Sequence, residues 1–316
     1  MDIPLIDISG FDDHDIARTR TIADQWGTAF ATVGFASIIG HGISETLLDD
    51  LYAEAQKLFA LPLSLKMEAY DGAKRHQGYS PIGQEAVGRS AGGTPAPTDL
   101  CESIQFVDLH VEDDKLRYWP EILRSTQSLL CEFAREAAAL DRRLMRITAR
   151  ALDLNEDYFV PHYARMTTKL RLVNYPDQES APLAGQLRNA AHTDFGGFTI
   201  LRQDNAPGGL QVQMPNGDWI DVAPVPASLV INAGDLIQRW TNDRFRSNLH
   251  RVINPPRGLT GSMQRLSIVV FTGPNADTLI TCLPTCAGET GAKYPPIISS
   301  EHTRERQQLA YLGSPG

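Results

Sequence analysis

Hydrophobic and polar positions change their period about halfway along the chain. Residues 3–8 (IPLIDI) alternate, with Ile6 and Ile8 on one face and Leu5 and Asp7 on the other, which predicts a short strand. Pro4 suggests an edge position or a strand start. Residues 14–30 have helical spacing that ends near Gly27, and 29–40 (AFATVGFASIIG) are expected to form a buried strand punctuated by Gly34 and Gly40. Ser44 precedes Leu47, Leu48, Leu51 and Ala55 at helical spacing and is a candidate N-cap. The stretch 72–98 carries six glycines and three prolines and is expected to be a long loop, a candidate lid. The longest helical run is 121–154. Its Arg135, Arg142, Arg143, Arg146 and Arg150 alternate with Glu132, Glu136 and Asp141, the pattern of a solvated face.

From about residue 165 the period shortens. MTTKLRLVNY, FTILRQ, GGLQVQM, WIDVAP, SLVINAG, HRVINP and RLSIVVF are short β-rich runs separated by Pro, Gly, Asn and Asp turn signals. That spacing belongs to an all-β sandwich or barrel. A helical flank near 299–312 closes the chain. The expected fold is mainly β with helical support, organised as one structural unit. Residues 1–164 form a mixed support region, 165–275 the β core, and 276–316 a C-terminal segment with a helix.

Composition narrows the function. The 316 residues carry 29 Lys and Arg against 38 Asp and Glu, a net charge of −9. This argues against nucleic acid or an anionic membrane as a general partner. Four cysteines make no disulfide framework, and no apolar run is long enough to span a bilayer. The acidic start MDIPLIDISGFDDHD lacks the basic and apolar regions of a secretory signal, so a reducing cytoplasm is expected.

The chemistry lies in NAAHTDFGGFTIL. In a strand, His192 and Asp194 project from the same face, whereas in a helix they would diverge by about 200°. Gly196 and Gly197 follow at once, which puts the pair at a strand end. Of the remaining histidines in or near the β region, His162 and His250, the second opens a strand in SNLHRVIN. A strand that far along can return beside the first in a jelly roll. Two imidazoles and one carboxylate suit non-haem Fe(II) and leave coordination positions open. Further on, Arg265 and Ser267 share one strand face. A buried guanidinium needs an anion, either a dicarboxylate ligand held with help from the hydroxyl, or an internal Asp or Glu. Cys282 and Cys286 have no second pair to complete a zinc site. His41 and His76 are expected to be structural, and Trp219 and Trp240 to be packing residues.

Together HTDFGGFTIL, His250 fifty-six positions after Asp194, and RLS resemble the iron(II)/2-oxoglutarate-dependent oxygenases, and within them the isopenicillin-N-synthase-like branch. IPLIDISG, GFASIIGHGIS, LFALPLSLK, GYSPIGQE, GGLQV, WIDVAPVPASLVINAGD, SNLHRVINP and CLPTC also resemble that branch, in order, over nearly the whole chain. The resemblance implies a double-stranded β-helix (jelly-roll) core. It implies iron on His192, Asp194 and His250, and the distal carboxylate of 2-oxoglutarate on Arg265 and Ser267. Tyr175 matches a tyrosine that also reaches this co-substrate. Asn174 is a further candidate, although many members carry their Asn one residue earlier, where this chain has Val173. Phe271 matches an aromatic position that touches substrate. Phe195 and Arg89 join it as candidate substrate residues, Arg89 because the loop 78–93 is a candidate cover for the mouth. The His250–Arg265 connection is longer than in many plant members. Neither Gln307 nor Gln308 obviously replaces the iron-binding Gln of the isopenicillin N synthase tail.

The implied activity is oxidation of a small molecule with Fe(II), 2-oxoglutarate and O2, in specialised metabolism, with release of succinate and CO2. Hydroxylation, desaturation and cyclisation are all open to such a site; halogenation is disfavoured because Asp194 fills the position a halide needs. An Fe(II) oxidase of the same fold that does not use 2-oxoglutarate is the alternative. A zinc hydrolase on the same three ligands and a non-catalytic cupin-like barrel are further rivals.

Overall fold

The Asp15 side chain accepts from the amides of Ala17 and Arg18 and starts helix α1 (Ile16–Thr32). The computed structural model describes residues 2–12, 15–70, 77–91, 97–111, 120–178, 180–207, 209–256 and 261–311. Strand β1 (Leu5–Asp7) precedes α1; β2 (Phe35–Ile39), α2 (Glu45–Phe59) and α3 (Leu63–Lys66) follow it. Next come β3 (Gly78–Ser80), β4 (Glu102–Val107) and the long α4 (Gln127–Ala151). The β-rich half contains β5 (Met166–Tyr175), β6 (Asn189–His192), β7 (Phe198–Gln203), β8 (Leu210–Gln213), β9 (Trp219–Asp221) and β10 (Leu229–Ala233). The chain continues through α5 (Asp235–Trp240), β11 (His250–Val252), β12 (Arg265–Asn275), β13 (Leu279–Ile280), β14 (Ile297–Ile298) and α6 (Ser299–Tyr311).

Among the described residues one sheet has eight strands in the order β1-β2-β10-β7-β12-β5-β4-β3, and a second has four in the order β6-β11-β8-β9. This is the jelly-roll arrangement, with helices packed on the outside. Strands from before residue 165 extend both edges of the large sheet; β1 lies at one edge with Pro4 just before its first residue, so both positions suggested for Pro4 are met. Trp26 and Phe30 of α1 meet Phe198 of β7 edge-on, with centroids 5.5 and 5.2 Å away, and Trp26 donates to Thr148 of α4 at 2.9 Å. The helical layer is thereby keyed to the strand that carries the site.

Three expectations change. Helix α1 does not stop near Gly27 but runs to Thr32. Gly27 is instead a packing point, where an added Cβ would lie 3.5 Å from Ala151 of α4. The strand expected over 29–40 begins only at Phe35, because residues to Thr32 are helical and Gly34 turns the chain at φ +75°. The arginine-rich face of α4 is not merely solvated. Arg143 donates to the Ile8 carbonyl at 2.7 Å, and Arg146 bridges Asp12 and Glu156, so this face straps the N-terminal segment down. Within the glycine-rich stretch, 72–76 and 92–96 lie outside the described residues, as does His76; β3 and a 3-10 turn at Val87–Ala91 occupy part of the rest.

Gly34 combines a left-handed backbone with a close approach: a Cβ there would overlap the Arg246 carbonyl oxygen. Gly34→Ala should therefore lower unfolding stability by roughly 2–4 kcal/mol. A urea midpoint equal to wild type would refute this account of the turn.

Candidate metal centre and substrate cavity

Strands β6 and β11 are antiparallel neighbours, and His192 and His250 are direct partners in their register. Direct partners on one face bring side chains together, and the two imidazole centroids lie 4.3 Å apart. Asp194 follows two residues after His192, just beyond the end of β6, so the pair lies at a strand end as expected. Its Oδ1 lies 3.6 Å from His192 Nε2 and 3.7 Å from His250 Nε2. One ligand atom from each of the three residues falls within 4.8 Å of the others, and all three side chains are buried.

Each imidazole is oriented from behind. His192 Nδ1 is 2.8 Å from the Ala190 carbonyl and His250 Nδ1 is 3.1 Å from that of Asn248. A carbonyl only accepts, so both Nδ1 atoms carry the proton and both Nε2 lone pairs face the centre. Burial, and then the neighbouring His250, push the His192 pKa down to about 4, which keeps that ring neutral. Burial pushes the Asp194 carboxyl up. The two imidazoles and hydrogen bonds from Thr199 and Asn232 outweigh burial and hold it below its usual range. Thr199 Oγ1 donates to Asp194 Oδ2 at 2.5 Å and Asn232 Nδ2 at 2.7 Å. With Oδ2 thus occupied, Oδ1 is left for the centre. Two neutral nitrogen donors and one carboxylate oxygen, converging in a buried place, fit a divalent transition metal with open positions.

Close backbone packing sets the turn after Asp194. Gly197 N–H donates to the Thr272 carbonyl, Gly234 N–H to Gly197 and Asp235 N–H to Asp194, each at 2.7 Å. At Gly196 a Cβ would sit 2.6 Å from the Thr272 oxygen, so no side chain fits. On the outer side Arg306 of α6 pairs with Asp235 at 2.8 Å, donates to Thr193 Oγ1 at 3.1 Å and lies over the Phe195 ring.

Strands β5 and β12 pair in the order Tyr175–Arg265, Val173–Ser267, Arg171–Val269 and Lys169–Phe271. Tyr175, Arg265 and Ser267 are therefore on one face, as expected, and Arg265 is 1% exposed. Its guanidinium meets Asp204 at 3.3 Å and Gln203 at 2.8 Å, so the internal partner anticipated as one possibility exists. Asp204 Oδ2 is itself taken by Tyr52 and by the Leu266 amide, and Arg265 Nε has no hydrogen-bond partner. Asn174 requires a correction. It pairs with Leu266, one position out of phase, and so faces the other side of the sheet, where it donates to Glu102 at 2.8 Å and accepts from Gln264. The one-residue offset from Val173 inverts its direction.

A cavity of about 380 Å³ opens beside His192 and Asp194, between β5, β12 and α6. Phe195 and Phe271 line it, as anticipated; Arg89 does not. Lys169, the Arg171–Glu85 ion pair, Gln105, Arg304 and Gln307 also line it, and none of them was among the candidates. Thr199 and Asn232 were missed as well. The signal for Asn232 was present: it is the single polar residue in the otherwise apolar run LVINA, buried at 3% exposure. Trp240 packs on Phe159 and His162, and Trp219 carries Arg251 over its ring, so both are packing residues. His41 caps the Ile43 amide. Cys282 and Cys286 are free thiols. The tip of the long connection before Arg265, residues 257–260, lies outside the described residues.

Comparison with known proteins agrees with this geometry. Residues 166–274 match the model of the 2OG-Fe(II) oxygenase superfamily, and residues 3–124 match that of the non-haem dioxygenase in morphine synthesis N-terminal region. The chain is 33% identical over 302 residues to the 2-oxoglutarate-dependent dioxygenase frbA of a Dothideomycetidae species, covering 90% of this chain and 89% of that one. It is 35% identical to the proline hydroxylase buaE of Petromyces alliaceus, covering 90% and 91%. A full-length Neurospora crassa protein, solved in complex with alpha-KG and thymine, superposes with a TM-score of 0.85 at 32% identity, covering 98% of this chain and 97% of that one.

Behind the turn, the Thr272 hydroxyl lies 2.8 Å from both Asp141 Oδ1 and the Phe198 carbonyl. One hydroxyl proton cannot serve both, so both bonds form when Asp141 is the neutral acid and donates to Thr272. Burial pushes the Asp141 pKa up to about 7, against opposing hydrogen bonding by Thr272 and the charge of Arg142. Its folded pKa exceeds the unfolded value, so the native state binds more protons and stability falls as pH rises from about 4 to about 7. Asp141→Asn keeps a donor to Thr272 and removes the titration. Its stability relative to wild type should therefore improve across that window and level off above it. Parallel unfolding curves at pH 5 and pH 8 check the sign; an unchanged difference would reject it.

Proposed function

The chain belongs to the 2OG-Fe(II) oxygenase superfamily, and from that membership we propose how its own residues divide the work. It is an Fe(II)- and 2-oxoglutarate-dependent dioxygenase that takes O2 as co-substrate and oxidises a small molecule. When bound, iron and 2-oxoglutarate supply the oxidising power, with succinate and CO2 as co-products. The oxidase that dispenses with 2-oxoglutarate is not favoured by these relatives.

In this reading His192 Nε2, His250 Nε2 and Asp194 Oδ1 hold the metal. The observation that carries it is their buried convergence, with both Nδ1 atoms and Asp194 Oδ2 already committed elsewhere. Arg265 and Ser267, with Tyr175 beside them, hold the distal carboxylate of 2-oxoglutarate. The support is a fully buried guanidinium whose Nε still lacks an acceptor. Phe195 and Phe271 offer apolar walls to the substrate. The reading extends to specialised metabolism, supported by the similarity to frbA and buaE, and to a cytoplasmic setting, supported by four free thiols. No helix among the described residues is long and apolar enough to cross a membrane.

Succinate release from 2-oxoglutarate under air, with Fe(II) and candidate substrates, tests the reading. Asp194→Ala should abolish it. Thr199→Val should weaken Fe(II) affinity about 10- to 100-fold, because Asp194 loses one of the donors that aim it. Arg265→Ala should raise the KM for 2-oxoglutarate by roughly 10- to 100-fold. Full activity of Asp194→Ala would remove these residues from the metal site.

A further inference from the structure

Lys169 stands out among the cavity residues. It lies on β5 opposite Phe271, two residues from Arg171 on the same face, and its side chain reaches the cavity that His192 and Asp194 also line. Nearby acids are engaged. Glu85 pairs with Arg171 and accepts from Ser103, and Asp108 Oδ1 accepts from the Thr168 amide at 2.7 Å. Among the described residues the Lys169 side chain has no hydrogen-bond or ion-pair partner. Its pKa is pushed down to about 8, chiefly by burial and then by Arg171, with Glu85 opposing.

Lys169 is half-buried, and an ammonium in a cleft without an acceptor gains more from an arriving anion than one in open water. The co-substrate is not that anion. Lys169 and Tyr175 are six residues apart on one strand, about 20 Å, and Arg265 sits beside Tyr175 at the far end. The cavity has room for a small molecule, not a polymer. With Arg171 paired to Glu85, Lys169 is the inner cation of the cavity wall whose side chain has no ion-pair partner among the described residues. Arg304, on the exposed face of α6, adds a second at the rim. A single inner charge complements a monoanion, which selects a carboxylate over a phosphate dianion.

We propose that Lys169 is a specificity-determining residue that anchors the carboxylate of the primary substrate, so that the substrate class is small carboxylic acids, amino acids included. The acid group docks between Lys169 and the Phe271 end of β12, and the rest of the molecule extends toward His192 and Asp194. This rests on the reading of the latter two as metal ligands.

The test uses the Fe(II)-loaded enzyme and paired probes: L-proline, L-homoarginine and indole-3-acetate, each beside its neutral amide, with thymine and a phosphate monoester (glycerol 3-phosphate) as further arms. The readout is probe-stimulated succinate release. Wild type should respond to at least one acid at least tenfold better than to its amide. Lys169→Met should lose that preference, through a raised KM for the acid, while Lys169→Arg should retain it. A wild type that no acid stimulates, or that amides, thymine or the phosphate ester stimulate as well, overturns the proposal. So does an unchanged acid preference in Lys169→Met. Succinate release by wild type without any probe reports the metal and co-substrate sites separately, so their failure is distinguishable from failure of the anchor.

Discussion

Asp194 must present one oxygen to the centre and keep the other from competing, and the arrangement around it follows from that need. Thr199 on β7 and Asn232 on β10 are direct partners in an antiparallel pair, and both donate to the same Oδ2. Two strands in register thus make a single two-pronged support, and neither prong works if the register slips by one residue. The carboxylate is anchored by the large sheet, while the two imidazoles come from the small one. The site is a junction between the two sheets of the jelly roll.

The helical layer contributes through the same strands. Phe198, next to Thr199, is the residue that Trp26 and Phe30 grip, so α1 fixes the strand that supports Asp194. On the other flank Thr272 receives the Gly197 amide and is itself held by Asp141 of α4. The turn after Asp194 is therefore tied to α4 through Thr272, to α5 through the Asp235 amide, and to α6 through Arg306. Several independent ties thus hold one short turn, the kind of support that precise placement of a ligand atom requires.

The candidate metal residues and the β texture were legible in the sequence because each depends on local rules. A His-x-Asp before two glycines, and seven β-rich runs between turn signals, need no tertiary knowledge to be seen. The start of β2 was not legible, since AFATVGF is equally apolar as helix or strand, and in the fold Phe30 packs from the helix onto Phe198 before Gly34 turns the chain. Asn174 shows the sharper limit. Its residue type was suitable and its position wrong by one, and in a strand an offset of one reverses the face. The donors to Asp194 and the Lys169 cavity depend on cross-strand register, which joins positions far apart in the chain and leaves no local motif.

Net charge misleads most about this site. A chain at −9 would seem to repel an anionic co-substrate. Screening over roughly 8 Å makes distant surface charge nearly irrelevant inside a cleft, while buried groups are screened far less. What an anion meets on entry is Arg304 at the rim and Lys169 within, and Arg265 is buried at the far end of the strand. The acidic groups nearest to them are themselves engaged, Glu85 with Arg171, and Asp204 with Arg265, Tyr52 and the Leu266 amide. Pairing those carboxylates inside the protein leaves the interior locally receptive to anions, although the surface as a whole is not.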